Sequence, residues 1–164
     1  LCENLLRGAQ NRGDVHGIVG DFMARRTVQG GRILVSSPEW SFLIEVLGDQ
    51  FEMRETEGNL AITNHFSLLP HQPHRSEVRE QSSSSRLAVA QEMIQSISNV
   101  QQLKAMLRSH LPERGELSIC NHREDGGGTE SSHIIQVQGE YLAWSHLVGF
   151  PCESDYQTVQ LFQA

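Results

Sequence analysis

The sequence has few lysines and no long apolar run. It contains one lysine, Lys104, beside 12 arginines, so lysine chemistry such as Schiff-base formation has a single candidate side chain. No apolar segment approaches the roughly 20 residues that a membrane-spanning helix needs. The formal net charge of −7 lacks the basic excess that general nucleic-acid binding requires. We therefore expect no membrane span and no nucleic-acid partner.

Cysteine is also scarce. Cys2, Cys120 and Cys152 are odd in number and widely spaced, which is typical neither of a disulfide framework nor of a Cys-x-x-Cys metal motif. A reducing compartment is the simpler interpretation, so we expect a cytoplasmic protein without a metal site. The chain has no glycine-rich phosphate-binding loop, and we expect no cofactor.

Apolar residues make up only 38% of the 164 residues, which is low for a self-sufficient globular protein. A chain of this length can nevertheless hide roughly two-thirds of its unfolded surface. The length fits one domain or a large piece of one. We expect the isolated chain to fold marginally, because its apolar faces would pair with segments outside it.

The hydrophobic pattern predicts helices, then strands, then helices, then strands. Residues 2–9 have helical spacing, and Asp14 is expected to cap a second helix. Strands are predicted at residues 32–36, 42–46, 50–55, 60–63, 118–120, 133–138, 141–147 and 158–162. Gly48-Asp49 is expected to form the hairpin turn between the second and third of these strands, and Gly139-Glu140 the turn between the sixth and seventh. This grouping favours an α+β fold with largely antiparallel sheets rather than alternating βαβ units.

A long loop and a helix pair separate the two predicted sets of strands. Residues 67–85, which contain two prolines and four consecutive serines, are expected to form a functional or mobile loop. Two amphipathic helices should follow. Ser98 and Gln101 are expected to form the capping box of the second helix, which Pro112 ends.

The most distinctive local feature is the end of the fourth predicted strand, where Thr63, Asn64 and His65 follow an apolar stretch. An asparagine at a strand end can donate its amide to a developing oxyanion. The plainer alternative is that Asn64 and His65 cap the strand and satisfy the backbone of the loop. The residues alone favour this plainer alternative.

Several segments resemble, in order, the acyl-CoA:6-aminopenicillanate (isopenicillin N) acyltransferase-like family of N-terminal-nucleophile (Ntn) hydrolases. The matching residues are Gly31-Arg32-Ile33-Leu34-Val35, Phe42-Leu43-Ile44-Glu45-Val46, Glu57-Gly58, Thr63-Asn64-His65-Phe66, Ser85-Arg86-Leu87, residues 103–111, Ile119-Cys120-Asn121-His122 and Gly149-Phe150-Pro151-Cys152 with Tyr156. The resemblance covers most of the chain, and its force comes from the order of short motifs.

The resemblance implies an αββα layered sandwich and a cysteine nucleophile that self-cleavage exposes as a new N-terminus. It assigns two catalytic positions to this chain. Asn64 matches the asparagine that helps form the oxyanion hole, and Arg86 resembles an arginine that orients the nucleophile region or the substrate. Arg75 and Arg79 are nearby competitors for the second role.

The family's nucleophile lies upstream of the region that this chain resembles. We therefore expect residues 1–164 to be the C-terminal part of a single Ntn-hydrolase-like domain, inactive without the missing N-terminal segment. The resemblance implies a small-molecule acyl donor and acceptor, such as an acyl-CoA or an N-acyl amide. Cys2 is not expected to replace the nucleophile, because it lies on an apolar helical stripe with Leu5 and Leu6.

Three alternatives remain open. The chain could be a non-enzymatic α+β binding or structural domain that uses residues 67–85 as an interaction surface. It could be a hydrolase with a Cys120–His122 dyad. Cys120 and His122 could also form half of a zinc site, although the sequence offers no evident second pair of ligands.

Overall fold

The computed structural model describes residues 1–26, 28–70, 76–139 and 141–162. Within these residues the chain forms four helices and two three-stranded antiparallel sheets, which confirms the predicted α+β class. The chain divides into two compact units. The first comprises Leu1–Gly58 and Phe66–Pro73, and the second comprises Asn59–His65 and His74–Ala164. None of the described helices combines the length and the apolar character needed to cross a membrane.

The first unit contains a helix pair and one sheet. Its elements are α1 (Cys2–Gly8), α2 (Arg12–Met23), β1 (Val28–Ser36), β2 (Ser41–Gly48) and β3 (Gln50–Glu55). The strands lie in the order β1-β2-β3. Gly48, with φ of +62°, makes the tight turn between β2 and β3 that the sequence predicts, because this backbone conformation suits glycine.

Both faces of β2 are buried. Phe42, Ile44 and Val46 belong to one hydrophobic cluster with Val15 and Val19 of α2. The alternate residues Leu43 and Glu45 are also fully buried. Residues 67–69 lie over Glu45, because their backbone N–H groups donate hydrogen bonds to its carboxylate.

The cap of α2 differs from the prediction. Asn11, not Asp14, is the N-cap, and its side chain accepts a hydrogen bond from the backbone N–H of Asp14. Asp14 in turn accepts from the backbone N–H of Asn11 at 3.1 Å. Both residue types are good caps, and the helix begins early enough to place Asp14 at the third position, where it completes a capping box.

The second unit contains the other helix pair and the other sheet. Its elements are α3 (Glu77–Ile94), α4 (Val100–Leu107), β4 (Ser131–Gln138), β5 (Tyr141–Val148) and β6 (Gln157–Phe162). The strands lie in the order β4-β5-β6. The predicted hairpin across Gly139 and the predicted last strand are therefore confirmed.

The predicted loop over residues 67–85 is wrong from Glu77 onward, since α3 begins there and includes the serine run. Serine is a poor residue for a helix interior, but Ser82 and Ser85 donate to the backbone carbonyls of Glu116 and Leu117. These tertiary hydrogen bonds outweigh the low helix propensity of the serines. Residues 71–75 of the predicted loop lie outside the described residues.

Four other local predictions also fail. Residues 60–63 and 118–120 form no strand, because neither segment pairs with a neighbouring strand. The second helix of the pair is capped one residue later than predicted. Asn99 accepts from the backbone N–H of Gln102, whose side chain accepts from Ser98. That helix also ends at Leu107 rather than at Pro112.

The β4-β5-β6 sheet mixes apolar, small and polar residues on its buried face and exposes several apolar residues on the opposite face. The buried residues are Ser132, Ile134, Ala143, Ser145 and Leu147. The opposite face exposes Ile135 (69%), Val137 (58%), Val148 (79%) and Val159 (45%). Part of the chain's modest apolar content is therefore exposed on this face.

Candidate functional site

The structure brings together Asn64 and Arg86, the two residues that the sequence resemblance assigns as candidate catalytic positions. Asn64 lies in the irregular segment Asn59–His65, and Arg86 lies on α3. Nη2 of Arg86 donates a 3.1 Å hydrogen bond to Oδ1 of Asn64. Nε of Arg86 donates to the backbone carbonyl of Ser82 one turn earlier on α3. The helix therefore fixes the guanidinium group that contacts the asparagine.

The residues on either side of Asn64 are held by Ser83. This serine is fully buried in α3, and its Oγ lies 3.1 Å from Oγ1 of Thr63 and 2.9 Å from Nδ1 of His65. Thr63 also donates to the backbone carbonyl of Ser83 at 2.9 Å. These bonds hold the segment to the helix, while the side chain of Asn64 remains exposed.

The contact with Arg86 fixes the orientation of the Asn64 amide. A guanidinium group only donates hydrogen bonds, so the oxygen of the amide must face Arg86 and the nitrogen must face away. Among the described residues, Nδ2 of Asn64 has no hydrogen-bond partner. The amide can therefore offer its N–H groups to a carbonyl oxygen or an anion.

Asn64 and Arg86 line a polar cavity of about 620 Å³ in the second unit. Its lining residues are Asn64, Ser76, Val78, Arg79, Ser82, Arg86, Glu116, Asn121, Arg123, Gly128 and Thr129. Three guanidinium groups face one carboxylate, so the lining carries excess positive charge. Burial lowers the pKa of Arg86, but an arginine stays protonated at neutral pH. The cavity therefore suits an anionic ligand.

The competing arginines have different positions. Arg79 lines the cavity but makes none of the hydrogen bonds that hold Asn64. Arg75 lies outside the described residues. Cys2 lies on α1 of the first unit and does not line the cavity. The described lining contains no cysteine, so it provides no thiol nucleophile.

A second cluster, of two histidine and two cysteine side chains, lies in the same unit. His110, Cys120, His122 and Cys152 place one ligand atom each within 4.8 Å of the others. Nε2 of His122 is the common neighbour. It lies 3.2 Å from Nε2 of His110, 3.5 Å from Sγ of Cys120 and 3.4 Å from Sγ of Cys152.

This geometry bears on two expectations from the sequence. His110 and Cys152 lie close enough to complete a four-residue set with Cys120 and His122 that could hold a metal ion, a second pair that the sequence did not reveal. Burial is the main effect that raises the pKa of Cys120 to about 11 and lowers the pKa of His122. A thiolate–imidazolium pair needs the opposite shifts, so the Cys120–His122 dyad is poorly suited to nucleophilic attack.

Sequence reasoning missed His110 and Cys152 for a simple reason. They lie 12 and 30 residues from His122, and neither spacing matches a short metal-binding motif. The available signal was the concentration of two of the three cysteines and four of the eight histidines within residues 110–152. Only the fold shows that these four residues converge.

Comparisons of this chain with family models, with curated proteins and with solved structures find no match.

Proposed function

We propose that this chain forms part of an acyl-transfer site for amides or thioesters, in which Asn64 stabilises the oxyanion and Arg86 positions Asn64. The hydrogen bond from Arg86 to Asn64 is the observation that carries this proposal, because it orients the amide as a free donor. The Ntn-type sandwich and the acyltransferase or amidohydrolase activity follow from the sequence resemblance and are part of the proposal.

The proposed nucleophile is a cysteine thiolate from a segment outside these residues, with its own α-amino group as the base. The thiolate attacks the substrate carbonyl carbon and forms a tetrahedral intermediate. Nδ2 of Asn64 donates to the resulting oxyanion, a contact of the kind that is worth about 3–4 kcal/mol of transition-state binding. The C–N or C–S bond then breaks, and the leaving amine or thiol takes the proton that the base holds. Water or an amine finally removes the acyl group from the cysteine.

The charge of the cavity supports an acyl substrate with a carboxylate or phosphate group. Arg79, Arg86 and Arg123 can bind such a group, and Glu116 is the one acidic side chain among the described lining residues. Arg123 also pairs with Asp125 at 3.4 Å. The planar guanidinium group of arginine suits carboxylate and phosphate groups because it can donate two parallel hydrogen bonds to their oxygens. Acyl-CoA thioesters and N-acyl amino acids both meet this requirement.

A binding experiment tests the proposal directly. Isotope-labelled protein is titrated with acetyl-CoA and, separately, with an N-acyl amino acid. We expect the side-chain amide of Asn64 and the Nε–H of Arg86 to shift. Arg86→Ala should weaken binding at least tenfold, while Arg7→Ala, which removes an exposed arginine of the first unit, should not. Equal binding by both variants would contradict the proposed site.

The coding sequence upstream of Leu1 provides the second test. The proposal requires a cysteine there that cleavage exposes. In the longer protein, Asn64→Ala should lower kcat by about 100-fold to 1,000-fold. A start codon that makes Leu1 the beginning of the natural chain would instead favour a non-enzymatic binding domain.

We also propose a cytoplasmic location, since Cys2, Cys120 and Cys152 are free thiols and free cysteines persist in reducing compartments. Fractionation of the native host would test this. Recovery of the protein in an oxidising compartment would contradict it.

A further inference from the structure

We propose that His110, Cys120, His122 and Cys152 form a tetrahedral zinc site. Two thiolates and two imidazoles are a common ligand set for structural zinc. The ligand atoms already converge within 4.8 Å. The proposal is independent of the acyl-transfer function, because none of these residues lines the cavity with Asn64 and Arg86.

The spacing of the ligand atoms matches the geometry that zinc requires. With Zn–S near 2.3 Å and Zn–N near 2.0–2.1 Å, a tetrahedral ion separates two nitrogens by about 3.3 Å and a nitrogen from a sulfur by about 3.6 Å. The corresponding distances from Nε2 of His122 are 3.2 Å to His110, 3.5 Å to Cys120 and 3.4 Å to Cys152. An ion can therefore bind with small side-chain movements.

The surrounding backbone holds the ligands in place. The backbone N–H of Cys120 donates to the carbonyl of Ser109, and that of His122 donates to the carbonyl of Gly115. The ring of Phe150 stacks on His122 with 4.1 Å between ring centroids. Cys120 is fully buried. These contacts fix the position of the shared ligand before an ion arrives.

The location of the cluster explains what an ion would do there. The ligands lie on three segments, one just after α4, one between α4 and β4, and one between β5 and β6. Residues 108–130 contain no helix or strand, apart from an isolated bridge between His122 and Gly128. A bound ion would link this irregular region to the sheet and stabilise it, as structural zinc does in other small folds.

Zinc binding has one local requirement. Nη2 of Arg114 lies 3.3 Å from Nδ1 of His122 and also donates to Glu153 at 2.6 Å. When Nε2 binds a metal, the neutral ring carries its proton on Nδ1, which can no longer accept from Arg114. The guanidinium group must then turn away from the ring, and its bond to Glu153 allows it to stay nearby.

The experiment measures metal content and thermal stability on the whole chain. Protein purified in reducing buffer is stripped with a chelator and titrated with Zn²⁺, and separately with Co²⁺. We expect one metal ion per chain, a rise in Tm on reloading, and the visible absorption bands of tetrahedral cobalt with thiolate ligands. Cys152→Ser and His110→Gln should each weaken zinc binding at least tenfold and reduce the rise in Tm.

Cys2→Ser is the matched control, because Cys2 is an exposed free thiol in the first unit. It should bind zinc like the unchanged protein. Less than one equivalent of bound zinc, a cobalt spectrum without thiolate bands, or equal loss of zinc in Cys2→Ser would overturn the proposal. A Cys120–Cys152 disulfide that forms in place of zinc binding, detected by mass spectrometry, would also overturn it.

Discussion

The carboxylate of Glu45 on β2 accepts a 2.9 Å hydrogen bond from the backbone N–H of Leu69. It also accepts from the backbone N–H groups of Ser67 and Leu68, each at 2.7 Å, and from the hydroxyl of Ser67. Glu45 is fully buried, so these donors replace water around its charge. They also attach residues 67–69 to the sheet of the first unit.

Glu45→Gln should destabilise the first unit by about 3 kcal/mol, because the new NH₂ group would face backbone donors instead of accepting from them. Chemical denaturation followed by circular dichroism measures the loss. Glu52→Gln is the matched control, since Glu52 pairs with Glu45 across β2 and β3 but is exposed. Equal effects of the two substitutions would contradict the anchoring role of Glu45.

The stability of the first unit should fall in acid. Burial alone would raise the pKa of Glu45, but the hydrogen bonds from Leu69, Ser67 and Leu68 outweigh it and hold the pKa below its usual value of 4.5. A carboxyl with a lowered folded pKa stabilises the fold fully above its unfolded pKa. This contribution should disappear as the pH falls from about 4.5 through the folded pKa.

Denaturation at a series of pH values checks this dependence. Glu45→Gln should flatten the acid limb of the stability curve, because it removes the titrating group. An acid limb of unchanged slope in that variant would assign the pH dependence to other carboxyls.

Ser83→Ala should destabilise the second unit by about 1–2 kcal/mol, because the partly buried side chains of Thr63 and His65 lose the hydrogen bonds that they share with its hydroxyl. Ser84→Ala, on the exposed side of the same helix, should be neutral or stabilising by about 0.5 kcal/mol. Both substitutions gain the same helix propensity, so their difference isolates the hydrogen bonds. Thermal unfolding of the two variants measures that difference. Equal melting temperatures would contradict the role of Ser83 in holding the segment that carries Asn64.

Gly128→Ala should destabilise the second unit by more than about 2 kcal/mol. Gly128 has φ of +143°, and an added Cβ would collide with the backbone carbonyl of Asn121. Gly115→Ala meets open space and should change stability little. Denaturation midpoints of the two variants provide the measurement. A tolerated alanine at residue 128 would show that the loop can rearrange.

Short-range signals predicted the elements that depend on neighbours in sequence. The turn at Gly48 and the hairpin at Gly139 were predicted because period-two patterns flank a glycine turn. The serine half of α3 was not, because its partners Glu116 and Leu117 lie 34 and 32 residues away. The residue pattern within one segment gives no information about carbonyl groups that lie so far away in the sequence.

The candidate sites show the same difference between short-range signals and contacts that join distant residues. Asn64 and Arg86 were chosen through a family resemblance, and their contact spans 22 residues that no local pattern relates. The pair of Cys120 and His122 is visible in the sequence, since only one residue separates them, but the convergence of His110 and Cys152 depends on how α4 and β5 end. The spacing of residues in the sequence could therefore indicate only two of the four residues of the histidine–cysteine cluster.

The serine run in α3 has a kinetic consequence. A helix interior with Ser82, Ser83, Ser84 and Ser85 loses about 0.5 kcal/mol per residue relative to alanine, so this half of α3 nucleates poorly by itself. Ser83 bonds to Thr63 and His65, but the bonds of Ser82 and Ser85 come from residues 116–117, which a nascent chain produces later. The turn of α3 that carries Arg86 should therefore be among the last parts of the second unit to acquire its native structure.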